Sequence, residues 1–313
     1  MAPTADDWPI GAALIQFPGT TRAGMSVQDA GPQHWSRIFA EVRAAGFDHV
    51  DLTDSWLRPG DLDPAGRADL VRALKDAGLG LTAISVVRRS VIDPRDGQDN
   101  LAYALRTVEA AAEIGAPVVC LGLHRPLLPE QQQAEWFWTA ASDADPLQDG
   151  DAFMLAASRF REVGRAAAEL GVDVSLELYE DTFLGTADSC LRMVDAIDLD
   201  NVGLNPDVGN IVRLHRPVEA WQEILAKTLP RANYWHVKNY FRAHDPASGA
   251  YISIPAPLEL GVVDYRRAVE MALAAGFQGP ICTEHYGGDG LGVSATNRRY
   301  LRDLLRIKLE VSE

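Results

Sequence analysis

Five times in this chain an amphipathic helical stretch stops at a glycine and gives way to a short apolar run. The helices are predicted at residues 35–45, 67–77, 101–114, 153–170 and 265–275, and the glycines that close them are Gly46, Gly78, Gly115, Gly171 and Gly276. Glycine is expected there because a helix commonly ends on a residue in the left-handed conformation before the chain turns back. Strands are predicted at residues 12–16, 49–52, 81–87, 118–123, 174–178, 202–204, 234–237 and 281–284. Nearly continuous apolar strands alternating with helices imply a parallel sheet covered by helices. The count comes to eight of each, which suggests an α/β fold closed into a (β/α)₈ barrel.

The 313 residues read as a single barrel domain spanning 1–313, with no linker or low-complexity tract. Two connections are long, at about 125–151 and 239–262, and loops of that length in a compact domain usually act as lids or binding loops. There are 29 basic and 44 acidic residues, for a net charge of −15. That balance argues against nucleic-acid or anionic-membrane partners, because nothing offsets phosphate repulsion. Cys120, Cys190 and Cys282 form neither a CxxC pair nor an even framework, which points to a reduced, cytoplasmic setting. The run 1–7 is acidic and lacks an apolar signal core, and no stretch approaches the ~18 apolar residues of a membrane span.

Four of the predicted strands in the second half end at or near a metal-ligand side chain: Glu177, Asp207, His236 and Glu284. Their spacings are 30, 29 and 48 residues, close to one strand–helix unit or one enlarged unit. Ligands gathered from successive strand ends fit the face of a barrel where active sites sit. Three carboxylates and an imidazole make a cage for a hard divalent ion, Mn²⁺ first, with Mg²⁺, Co²⁺ or Ca²⁺ as alternatives. Each residue has a plainer explanation when taken singly. Glu177 could be a salt-bridged carboxylate, Asp207 an Asx turn or helix cap, His236 a hydrogen-bonded core histidine, and the glycines after Glu284 a flexible loop. The four in series outweigh those explanations.

On these residues the chain resembles a known superfamily. The segments Leu-Glu177-Leu, Asn-Pro-Asp207, Trp-His236-Val-Lys238 and Thr-Glu284-His are similar to the metal site of the xylose isomerase-like sugar isomerases and epimerases. The segment from Leu260 through Asp264 to Glu284 is similar to the last strand–helix–strand unit of that family. The resemblance implies a (β/α)₈ barrel that holds a Mn²⁺-like ion with Glu177, Asp207, His236 and Glu284. Two departures are visible. Ketose 3-epimerases usually carry a histidine where this chain has Asn210, and their arginine after the metal histidine is matched only loosely, by Lys238 or Arg242. Abasic-site endonucleases of the superfamily need more histidines than are present.

His124, at the end of the fourth strand, is expected on the same rim as the metal, followed by the aromatic run Trp136-Phe137-Trp138. A rim histidine and an aromatic lid resemble the catalytic subunit of bacterial C-glycoside deglycosidases, which act on 3-oxo-glycosides, usually with a small β partner subunit. His124, Glu177 and Glu284 are taken as catalytic, and Trp136, Trp138, Asn210, Lys238 and Asp54 as substrate-binding; Lys238 shares the face of His236 if that strand continues, and Asp54 follows the second strand and can reach the rim. His124 could instead be an orienting partner, and the tryptophans could be core or an oligomer contact. Arg88 and Arg89 follow the third strand and can reach the rim, though surface salt bridges explain them equally. The reading is a metal-dependent enzyme that abstracts a proton next to a carbonyl. β-Elimination of 3-oxo-glycosides comes first, sugar isomerisation or epimerisation second, a retaining carboxylate-pair glycosidase third, and a non-catalytic sugar-binding scaffold last. An oligomer is expected.

Overall fold

The computed structural model describes residues 3–310, so Met1 and Ala2 of the acidic N-terminal run, and residues 311–313, lie outside the described residues. Among the described residues ten strands form: β1 (Ile10–Ala13), β2 (His49–Thr53), β3 (Gly80–Ser85), β4 (Val118–Leu121), β5 (Asp173–Glu177), β6 (Val202–Asn205), β7 (Trp235–Val237), β8 (Asn239–Asp245), β9 (Ala250–Ala256) and β10 (Ile281–Thr283). Eight of them make one sheet in the order β6-β5-β4-β3-β2-β1-β10-β7. All its neighbours pair in parallel. The sheet is a nearly closed (β/α)₈ barrel with helices between its strands.

The five glycines predicted to end helices do so in the left-handed region. Their φ values are +97° at Gly46, +66° at Gly78, +81° at Gly115, +69° at Gly171 and +78° at Gly276. A side chain there would be strained against the backbone, so these positions fix where each helix gives way to the next strand.

The seam between β6 and β7 is held differently from the rest. It has only an isolated parallel bridge between Leu204 and Ala232 and a bond from Asn233 N–H to the Leu204 carbonyl at 3.2 Å. One residue on, Asn205 takes over with its side chain. Its Oδ1 accepts the His236 backbone N–H at 2.7 Å, and its Nδ2 reaches Cys120 Sγ at 3.4 Å. A buried asparagine thus substitutes for a ladder bond and sets the height of His236 at the barrel rim.

Apolar residues fill two layers. The larger lies between sheet and helices around Phe39, Phe160 and Trp235. The smaller fills the barrel interior with Ala13, Ala83, Val118, Cys120, Tyr234 and Cys282. All three cysteines are buried and free. No helix among the described residues is long and apolar enough to cross a membrane.

Both long connections are structured. Residues 125–151 contain a short helix, Pro129–Gln133, and a 3₁₀ turn, Phe137–Thr139. Arg125 pins the loop through Asp143 at 2.9 Å and Asp145 at 3.1 Å. Within 239–262 the chain forms an antiparallel hairpin of β8 and β9. It was not legible as strands because its polar turn, through Asp245 and Gly249, and its short apolar alternation read as loop.

The seam yields a test. Asn205→Ala leaves the buried His236 N–H without its acceptor, and an unsatisfied buried donor costs ~1–3 kcal/mol. Chemical denaturation should register a loss of that size. A change within about 0.5 kcal/mol, the usual effect of a surface substitution, would show that the seam does not depend on Asn205.

Candidate metal centre

Glu177 is the last residue of β5, Asp207 lies two residues past β6, His236 is the middle of β7, and Glu284 follows β10 directly. The parallel sheet brings all four to one end of the barrel, and all four are at least nine-tenths buried. Ligand atoms of Glu177, Asp207 and His236 lie within 4.8 Å of one another. Glu284 Oε2 is 3.7 Å and Glu177 Oε1 3.9 Å from His236 Nδ1. These separations are too long for hydrogen bonds. They suit atoms sharing one cation, whose ligands at ~2.0–2.4 Å lie at most about 4.8 Å apart.

His236 is aimed by a residue absent from the sequence-based candidates. Asp51, fully buried on β2, places Oδ2 3.3 Å from His236 Nε2. The same oxygen accepts Ser85 Oγ at 2.6 Å and the Tyr234 hydroxyl at 2.5 Å. A carboxylate on one ring nitrogen fixes the orientation of the other. His236 Nδ1 faces the cluster without a hydrogen-bond partner among the described residues. Burial alone would lower the His236 pKa. Asp51, Cys282 and Glu177 outweigh it, so His236 sits well above the ordinary histidine range. The negative potential that holds a proton there is the one that would attract a cation. The residues therefore fit a divalent ion. Cys282 also lies close to Asp51 and His236, but burial and Asp51 push its thiol up to about 11, so it stays protonated.

The remaining partners set the charge. Lys238, almost fully buried, bridges Asp207 Oδ2 at 2.8 Å and Glu284 Oε2 at 2.9 Å. Burial would lower its pKa, but Asp207 and Glu284 hold the ammonium charged. Burial also works on Glu284, upward, yet Lys238 and His236 overcome it and bring Glu284 down to about 2. Burial dominates at Glu177 and raises it to about 7. Asn210 Nδ2 bonds Glu177 Oε1 at 2.8 Å and the Leu178 carbonyl at 2.9 Å, which fixes that carboxyl's direction.

A cavity of about 310 Å³ opens onto this cluster, lined among others by Glu177, Glu284, His236, Lys238, Asn210 and His124. That is at the small end of ligand pockets, which run roughly 300–1,000 Å³. His124 stacks on Tyr179 at 4.4 Å. Burial, helped by Arg88, Arg213 and Lys238, keeps it well below the ordinary histidine range and so neutral.

Other predicted residues lie elsewhere. Asp54 is buried but committed, accepting Val87 N–H at 2.8 Å and Arg89 Nε at 2.8 Å. Trp136 and Trp138 stack on each other at 5.1 Å, outside the cavity lining, and Phe137 is the member of that run that lines it. Gly287 has φ +79°, and a Cβ there would come within 2.7 Å of the Trp136 ring. That glycine makes room for a tryptophan. Beneath the loop, the fully buried Arg213 pairs with both Glu180 oxygens at 2.7 Å, and its guanidinium lies 4.8 Å from Phe137 and 5.1 Å from Tyr179. Arg242 is spent on the carbonyls of Val212, Leu214 and Arg216. Asp51 carried a signal that could have found it, a carboxylate inside the apolar run His49-Val-Asp-Leu. Arg213 carried none.

Comparison with known proteins accords with this geometry. The profile of the family described as xylose isomerase-like TIM barrel matches residues 39–306. A crystal structure of a xylose isomerase-like TIM barrel protein from Mycobacterium smegmatis, in complex with magnesium, shares 42% identity over 98% of this chain and 99% of that chain, with a TM-score of 0.94. A 3-keto-D-glucoside 4-epimerase from E. coli is 17% identical over 95% of this chain and 99% of its own, TM-score 0.64. The D-psicose 3-epimerase of Clostridium cellulolyticum H10, with D-tagatose, is 14% identical over 97% and 98%, TM-score 0.62. No curated protein matches.

Two outcomes are expected of the metal centre. Asp207→Ala should strip divalent ion from the purified protein, and Asp51→Asn should weaken uptake about 10–100-fold, the usual cost of losing a ligand's orienting partner. Both are read by calorimetry or elemental analysis. Full metal content in Asp207→Ala would remove the residue from the site. Because the cation must displace the His236 proton, affinity should also rise with pH, and a flat profile between pH 6 and 8 would contradict that competition.

Proposed function

The chain belongs to the xylose isomerase-like TIM barrel family, and on that premise we propose that it is a divalent-metal-dependent isomerase or epimerase of a ketose or oxo-sugar, moving a proton at the carbon beside the carbonyl. One observation carries this. Glu177 and Glu284 both line the cavity and come from strands on either side of β7, so they flank His236. Two carboxyl groups on either side of one small cavity can act as proton acceptor and proton donor toward a sugar carbon held between them.

Glu284 accepts the C–H proton while Lys238 holds its carboxylate in place. Glu177, oriented by Asn210, returns a proton from its side of the cavity. Delivery to the same carbon from the other face inverts it; delivery to the former carbonyl carbon, with the enediol's other hydroxyl proton passing to the former carbonyl oxygen, isomerises. A divalent ion held by Glu177, Asp207, His236 and Glu284, with Mn²⁺ or Mg²⁺ suiting the hard oxygen set, supplies Lewis acidity toward a carbonyl oxygen. Asp51 keeps His236 aimed, and the loop over the cavity limits water.

The second reading, β-elimination of 3-oxo-glycosides, is favoured by His124, a neutral imidazole lining the cavity. It takes second place for two reasons. The two tryptophans expected to hold an aglycone lie outside the cavity lining, and the cavity volume suits one sugar ring better than a sugar bearing a polyphenol. That reading carries with it a small β partner subunit.

Metal-loaded protein incubated with free ketoses and 3-oxo-glucosides in D₂O should place deuterium beside the carbonyl and interconvert the sugars, seen by NMR. Glu177→Gln should slow this roughly 10²–10⁴-fold, the usual contribution of a positioned acid or base. No exchange on any ketose or oxo-sugar would overturn the assignment. Aglycone release without interconversion, abolished by His124→Ala, would establish the elimination instead.

A further inference from the structure

Among the described residues, the cavity holds one cation without an ion pair. Lys238 is neutralised by Asp207 and Glu284, and His236 by Asp51, Glu177 and Glu284. Arg88 also lines the cavity, yet it makes no ion pair among the described residues. Its neighbour Arg89 takes the nearby carboxylate of Asp54 at 2.8 Å. The polar contact of the Arg88 side chain is one bond from Nη1 to the Arg125 carbonyl at 3.2 Å. Its guanidinium lies 4.6 Å from the centre of the Phe137 ring and 6.0 Å from that of Tyr179. An arginine laid on aromatic rings keeps its edge N–H groups directed in a plane that suits a carboxylate fork.

The backbone supports the same conclusion. Arg88 has φ +58°, a left-handed conformation that a non-glycine residue rarely adopts. Such residues persist where the surrounding structure holds them, often at ligand sites. In a chain of net charge −15, an arginine free of carboxylates at the wall of a small cavity focuses a positive field onto whatever enters.

We infer that Arg88 is a specificity-determining residue that reads a carboxylate on the substrate, so that the sugar taken by this site is an acidic one. This rests on the cavity being a sugar site. The reacting carbons lie at Glu177 and Glu284, and the carboxylate lies against Arg88 on the Phe137 side of the same cavity.

The test uses binding, which is independent of turnover. Methyl α-D-glucopyranosiduronate and methyl α-D-glucopyranoside share a ring and differ by a carboxylate against a hydroxymethyl group. Neither has a free carbonyl to react. Calorimetry on the metal-loaded protein should show the uronate bound at least about 10-fold more tightly, with the difference shrinking as salt rises. Arg88→Leu should erase the preference at unchanged metal content, and Arg88→Lys, which keeps the charge but loses the fork, should retain part of it. Equal affinity for the two probes in the parent protein would overturn the inference. So would a preference that survives in Arg88→Leu, or equal weakening of both probes in that variant, which would make Arg88 a support for the Phe137 loop. Uronate preference without deuterium exchange on any oxo-sugar would leave this inference standing and defeat the proposed reaction. Exchange on neutral sugars with no uronate preference would do the reverse.

Discussion

Four carboxylates, Asp51, Glu177, Asp207 and Glu284, are buried at one end of the barrel, and that concentration of negative charge is what the surrounding structure serves. Moving a carboxylate out of water is tolerated only when it is paired, hydrogen-bonded or bound to metal. The chain supplies two cationic partners, Lys238 and protonated His236, so negative charge remains in excess. A divalent ion taking the place of the His236 proton would offset more of it, which explains why the same residues fit a cation and perturb one another's protonation. Charge balance, geometry and acid–base behaviour at this site are one property seen three ways.

The barrel makes this arrangement affordable. Parallel strands bring every C-terminal end to one rim, so residues far apart in sequence meet without special loops. The seam between β6 and β7 is the weak point of closure, and Asn205 repairs it beside Asp207 and His236. The polar side chains that close the barrel therefore share a layer with those of the candidate metal centre. Glu177, Asp207, His236 and Glu284, their orienting partners Asp51 and Asn210, and the bridging Lys238 all stand on or next to rigid strands, which keeps their positions precise.

The long fourth connection is held by aromatic and arginine packing. Arg213, buried against Glu180, carries Phe137 and Tyr179 on its guanidinium, and Trp138 packs edge-on against Tyr240 and Tyr286. The tryptophans brace the loop, Phe137 presents its inner surface to the cavity, and Arg88, on the connection after β3, lines the same cavity. The result is a small, braced cavity with Arg88, which makes no ion pair among the described residues, at its wall.

The sequence by itself determined the class of fold and picked out four of the residues that meet at the candidate metal centre. Helix-ending glycines, apolar strand runs and strand-end carboxylates are local signals, because backbone conformation and burial cost act residue by residue. Tertiary structure alone decided the rest. Whether Trp136 and Trp138 or Phe137 would face the cavity depended on how the loop packs, with Gly287 clearing space for one ring. The strands of the hairpin at residues 239–256 were hidden by their polar turn. Arg213 gave no signal because its role exists only once Glu180 and three aromatic rings surround it. Asp51 could have been noticed as a carboxylate in an apolar strand, but that it aims His236 depends on a contact 185 residues away in sequence. Such couplings are properties of folded distance, and linear spacing does not encode them.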